Sequence, residues 1–114
     1  MKISIITVSY NSTSTIIHTI ESVLNQTYTD IEYIIVDGNS TDGTIDIIKK
    51  YERHIDYWLS EIDNGQSDAL NKGFQVADGE IFGWLNSDDI YMPNTLNTIA
   101  NCFIKNKKTR VYEF

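Results

Sequence analysis

Two adjacent carboxylates, Asp88 and Asp89, follow an apolar run, Ile81-Phe82-Gly83-Trp84-Leu85, and the polar pair Asn86-Ser87. Side by side they repel each other, so a fold that keeps them at a strand end has a use for them. Hard divalent cations such as Mg²⁺ or Mn²⁺ prefer carboxylate oxygens and bridge readily to substrate phosphates. Capping the next helix is the commoner role for such a residue taken alone. Two more polar clusters follow apolar runs: Tyr10-Asn11 after residues 3–8, and Asp37-Gly38 after residues 31–36. Tyr10 could offer a ring face to a nucleobase, or pack on a sheet where a helix begins. Asp37 could accept hydrogen bonds from a base imide or from ribose hydroxyls, or close an Asx-turn before Gly38.

Other chemistries lack their residues. The turn after the first apolar run, Ser9-Tyr10-Asn11-Ser12-Thr13, has no glycine, which argues against a dinucleotide loop, and no Walker A pattern occurs. One cysteine and two scattered histidines, His18 and His54, cannot furnish a usual zinc site. No G-x-S-x-G elbow supports a serine nucleophile.

The elements that must position these groups are read from hydrophobic periodicity. Residues 3–8, 31–36, 57–59 and 81–85 read as strands. Between them lie helices: one from about Ser14 (Ser14 as cap) through Ile16, Ile20 and Val23, one around Ile45, Ile47, Ile48 and Tyr51, and one over 67–76. A last helix carries Leu96, Ile99, Ala100 and Phe103, with Pro93 in its first turn. A further strand is predicted near 110–114. Strict alternation predicts an α/β fold: a Rossmann-like, mostly parallel sheet with helices on both faces and right-handed crossovers. Ligands of such sheets sit beyond the carboxyl ends of the strands. All three polar clusters follow strands, so they are predicted to meet on one edge.

The 114 residues are 41% hydrophobic and 22% charged, which suits a single globular domain over 1–114. A formal net charge of -7 disfavours nucleic acid as a partner. Lys105, Lys107, Lys108 and Arg110 form the one basic cluster, a solvated helix end or a weak site for an anionic membrane surface. Cys102, the sole cysteine, reads as a small buried hydrophobe beside Ile99 and Phe103. No apolar stretch approaches the roughly 20 residues that span a bilayer, and no signal-peptide pattern is seen, so a cytoplasmic location is expected.

Four segments, taken together, resemble the successive motifs of family-2 glycosyltransferases: Ile5-Ile6-Thr7-Val8-Ser9-Tyr10-Asn11, Ile35-Val36-Asp37-Gly38-Asn39-Ser40-Thr41-Asp42-Gly43-Thr44, Ser67-Asp68-Ala69-Leu70-Asn71-Lys72-Gly73, and Trp84-Leu85-Asn86-Ser87-Asp88-Asp89. Order and spacing both match. The resemblance implies the donor half of a GT-A fold and an inverting transferase that uses a nucleotide-diphosphate sugar, UDP-linked as a rule, in polysaccharide synthesis. By that resemblance Asp37 contacts the base, Tyr10 lines the base pocket, and Asp88 coordinates Mn²⁺ or Mg²⁺ on the diphosphate. Asp89 supports the loop or sugar, and Asp68 lies near the nucleotide or the donor sugar. Asn86 replaces the first carboxylate of the family's D-x-D and would offer its carbonyl to ribose or water.

In the family the general base comes from a later segment, so the acceptor-binding half is expected to be absent and the base to lie outside this chain. Glu61, Asp63 and Asp68 are weak substitutes; Glu61 and Asp63 read better as a solvated loop. The expected partners are a nucleotide-diphosphate sugar and a saccharide or lipid-linked acceptor, with peripheral membrane association and self-association as further expectations. A nucleotide-sugar-binding fragment without activity is the alternative.

Overall fold

A computed structural model of the chain describes residues 1–105 and 111–113. Five strands, β1 (Ile3–Ser9), β2 (Ile31–Asp37), β3 (Tyr57–Ser60), β4 (Ile81–Asn86) and β5 (Val111–Glu113), form one sheet in the order β3-β2-β1-β4-β5. Every pairing is parallel. The expected extra strand is β5, although Arg110 and Phe114 lie outside the described residues, as do Lys107 and Lys108 of the basic cluster. The helices are α1 (Ile16–Leu24), α2 (Thr44–Lys50), α3 (Gln66–Val76) and α4 (Thr95–Lys105), with a short 3-10 turn at Glu52–His54. No described helix is long and apolar enough to cross a membrane.

All seven residues of β1 are buried, because both faces of the sheet are covered. Ile3, Ile5, Tyr33, Ile35, Ile81 and Leu85 meet Ile16, Ile20 and Val23 of α1, Ile48 of α2, and Leu96, Ala100 and Phe103 of α4. On the opposite face Ile6, Val8, Ile34 and Val36 meet Ala69 and Leu70 of α3. Each fully buried isoleucine contributes roughly 1.5–3 kcal/mol over an exposed one. Gly73 lets α3 lie close on β1: a Cβ there would stand 2.6 Å from Ile6 Cγ2.

A row of polar side chains, Thr19 and Ser22 on α1 and Gln26 just after it, holds the connection from β4 to α4. The Thr19 hydroxyl donates to the Asp89 carbonyl at 2.5 Å. The Tyr91 N–H donates to Ser22 Oγ at 3.1 Å. The Gln26 amide group donates to the Met92 carbonyl at 2.9 Å and accepts from the Leu96 N–H at 3.1 Å.

Three local expectations are corrected. Ser14 does not cap α1; Thr15 occupies the cap position without a side-chain bond, and the Ser12 carbonyl accepts the Ile16 N–H instead. Pro93 lies in a turn before α4, which begins at Thr95. Cys102 is exposed, because α4 turns Ala100 and Phe103 to the sheet and leaves position 102 on the outer side.

Candidate functional site

Chain order places the site. From β1 the strands step to β2 and β3 on one side, then β4 returns to the other side of β1. Strand order therefore reverses between β1 and β4, and the crevice at their carboxyl ends is where a parallel α/β sheet receives a ligand.

Register builds the floor. Ser9, Asp37 and Ser60 are neighbours across β1, β2 and β3. Asp37 is fully buried. Its Oδ1 accepts from Ser9 Oγ at 2.8 Å and Ser40 Oγ at 2.6 Å. Its Oδ2 accepts from the Ser40 N–H and Ser60 Oγ, both at 2.8 Å. Four donors saturate two carboxylate oxygens. The Asp37 side chain, expected from the resemblance to contact a base, thus fastens the turn that follows β2.

Above that floor, the two loops that follow β1 and β2 lock together. Asn11 adopts a left-handed conformation with φ of 47°, donates its N–H to Ser40 Oγ and accepts from the Thr41 N–H. The Ser12 N–H donates to Thr44 Oγ1 at 2.8 Å, and the Thr13 N–H to Asp42 Oδ2 at 3.2 Å. Hydrogen bonds from Thr13 and then Thr44 hold the Asp42 carboxyl well below the usual carboxylate range, against a smaller opposing effect of desolvation. Ser12 Oγ also meets Ser87 Oγ at 2.6 Å, tying this pair of loops to the acidic turn.

At the end of β4, Trp84 Nε1 donates to Asn86 Oδ1 at 3.0 Å, and Gln66 Nε2 of α3 donates to the same oxygen at 2.5 Å. An indole nitrogen can only donate, so the orientation of the Asn86 amide is fixed. Both lone pairs of its carbonyl oxygen are thereby filled. The helix-cap role of Asp88 or Asp89 is not realised, since α4 starts at Thr95.

The loop after β3 adds a fourth wall. Lys72 Nζ lies 3.0 Å from Glu61 Oε1, 3.6 Å from Asp68 Oδ2 and 3.3 Å from the Ile62 carbonyl. Its pKa is raised, first by the Glu61 hydrogen bond, with desolvation opposing and Asp68 adding. Asp68 Oδ2 also accepts the Asn64 N–H at 3.0 Å, so this side chain organises the start of α3. Asp63 Oδ1 accepts the Gly65 N–H at 3.0 Å.

These walls enclose an open cleft of about 890 Å³. Tyr10, Asn86 and Asp88 line it, and Tyr10 is 65% exposed. Asp37, Asp68 and Asp89 do not line it. Asp63 and Gln66 do, along with Gly38. The signal for Asp63 and Gln66 was that their loop also follows a parallel strand.

No lysine or arginine is among the described residues lining the cleft, whereas Asp63 and Asp88 are. A bare diphosphate would meet negative charge only. Among the described residues no group of three or more His, Cys, Asp or Glu side chains could hold a metal by themselves. Mg²⁺-like ions are commonly held by one or two carboxylates plus substrate phosphates, and exposed Asp88 fits that donor set.

Comparison with known proteins agrees with this geometry. The sequence over residues 4–112 matches the model of glycosyl transferase family 2. An uncharacterized glycosyltransferase from Nostoc sp. is 39% identical over 106 residues, covering 90% of this chain and 33% of the relative. One from Rickettsia typhi is 39% identical over 112 residues, covering 96% and 35%. The chain thus spans about a third of the length of these relatives. The structure of S. aureus TarS in complex with UDP-GlcNAc superposes with a TM-score of 0.87 at 28% identity, covering 94% of this chain and 32% of TarS. A Pyrobaculum calidifontis mannosyltransferase, solved with GDP-Man and Mn²⁺, shares the fold with a TM-score of 0.83 at 24% identity, over 90% of this chain and 32% of its own. With its family motifs set around one cleft at the reversal of strand order, the chain belongs to glycosyl transferase family 2.

Proposed function

We propose that the cleft is the donor site of an inverting glycosyltransferase and binds a nucleotide-diphosphate sugar in a metal-dependent way. The observation that carries this is the cleft's composition: an exposed aromatic ring at one wall, an acidic turn at another, and no lining cation among the described residues. The TarS complexes with UDP-GlcNAc and with UDP support a uridine nucleotide as the donor class.

Tyr10 offers its ring face to the base, and the Asn86 amide donates to a ribose or phosphate oxygen. Asp88 would hold Mn²⁺ or Mg²⁺, which when bound supplies positive charge against the departing nucleoside diphosphate. Asp89 keeps the turn in place through its backbone, its N–H donating to the Asn86 carbonyl at 3.0 Å. The transfer is a single displacement. An acceptor hydroxyl oxygen of a saccharide or lipid-linked saccharide bonds to the anomeric carbon, the bond to the diphosphate breaks, and configuration inverts. A carboxylate base takes the hydroxyl proton.

Titration calorimetry of the chain with UDP, with and without Mn²⁺, tests the reading. Binding is expected only with metal, and Asp88→Ala is expected to weaken it at least tenfold, about 1.4 kcal/mol. Equal affinity with and without metal in both proteins would refute the metal-bridged site.

A further inference from the structure

Asp63 and Tyr10 both line the cleft, whereas Asp37 does not. Asp63 is half-buried, and its Oδ1 is engaged by the Gly65 N–H. Its Oδ2 stands 2.9 Å from the position a Cβ would take on Gly38, and Tyr10 Cδ1 stands 3.4 Å from the same point. The carboxylate and the edge of the aromatic ring therefore flank one point of bare backbone, at a glycine with no room for a side chain. Any side chain at 38 would displace Asp63. The loop bearing Asp63 is braced from below, since Lys72 grips Glu61 and the Ile62 carbonyl.

We infer that Asp63, placed beside Tyr10 by the bare backbone of Gly38, selects the donor's base by accepting a ring N–H. This rests on the donor-site reading above. A carboxylate oxygen only accepts. Uracil and guanine present a ring N–H beside a carbonyl, whereas cytosine and adenine present a lone pair at the equivalent ring nitrogen. A base of the second kind laid against Tyr10 would set its lone pair against a negative oxygen and leave that oxygen unpaired. The outcome is a choice between base classes made by one side chain that reaches in from the β3–α3 loop.

The test is the ratio of affinities for UDP, GDP and CDP with Mn²⁺ present, measured by calorimetry on the whole chain and on two variants. Removing a charge near the diphosphate raises affinity for all three nucleotides together, so the ratio isolates the base. The wild type is expected to favour UDP or GDP over CDP by on the order of tenfold or more, as for a site whose polar group is left unpaired by the wrong ligand. Asp63→Asn, whose amide can donate to the cytosine ring nitrogen, is expected to erase or invert that preference. Gly38→Ala pushes aside the end of a flexible side chain, so it keeps the fold and is expected to narrow the preference in part. Far-UV circular dichroism of each variant verifies folding. If the wild type binds nucleotide and Asp63→Asn leaves the UDP:CDP ratio unchanged, the assignment of Asp63 is overturned while the donor site stands. A folded wild type that binds none of the three overturns both.

Discussion

Asp37 ends β2 and Asp88 follows β4, and their surroundings differ: the first is buried and the second exposed. Asp37 has no exposed surface and accepts four hydrogen bonds, three of them from serine hydroxyls. Replacing it with alanine leaves the Ser40 N–H and three hydroxyls without their acceptor in a buried place. Asp37→Ala is expected to cost about 2–4 kcal/mol, read as a lowered urea midpoint. A variant as stable as the wild type would mean that water reaches those donors. Sequence could name Asp37 as a polar residue at a strand end, but not its burial. That follows from the register that sets Ser9 and Ser60 beside it, partners 28 and 23 residues away in the chain. Tyr10 and Asp88 were legible because exposure at a strand end needs no distant partner. The filled Asn86 carbonyl was not, since it depends on where Gln66 begins α3.

The elements themselves follow from periodicity. Runs rich in isoleucine and valine gave β1 and β2, short aromatic and apolar runs gave β3 and β4, and the spacing of Ile16, Ile20 and Val23 gave α1, which buries those residues. Errors fell where a local signal has several outlets. Ser14 precedes a helix, as a cap would, yet it lies on the cleft wall, and Cys102 neighbours core residues in sequence yet points outward. The packing of α3 on β1 leaves no room for a side chain at position 73. At Gly73 an added methyl would meet Ile6 Cγ2 at 2.6 Å, with Cγ1 at 3.2 Å and Cδ1 at 3.3 Å. Ile6 is fully buried and cannot swing away. Gly73→Ala gains up to about 1 kcal/mol of helix propensity and loses about 1–3 kcal/mol to overpacking. A net loss is expected, seen as a lower urea midpoint with unchanged slope. A gain in stability would show that α3 can lift from the sheet.

At the scale of the molecule, topology does most of the functional work. Placing β4 beside β1 brings residues 10 and 88 to one cleft although 78 positions separate them. The cleft, about 890 Å³, falls within the roughly 300–1,000 Å³ usual for small-ligand sites. Alternating strands and helices predicted that edge and the gathering of the three polar loops there. The fourth loop reads from sequence as merely solvated, because its strand, β3, is short and its residues are hydrophilic.

The row Thr19, Ser22 and Gln26, on α1 and just past its end, has a consequence for how the acidic turn moves in time. Residues 89–94 form neither helix nor strand, and chain segments of that kind usually trade their amide protons with water quickly. Here the Tyr91 N–H is given to Ser22 and the Leu96 N–H to Gln26. In deuterated water both amides should therefore exchange on the slow schedule of the strands, and Gln26→Ala should release Leu96 while β4 stays protected. Fast exchange at both positions in the wild type would count against this. With its far side held in that way, the acidic turn would respond to an arriving donor over Ser87 and Asp88 alone.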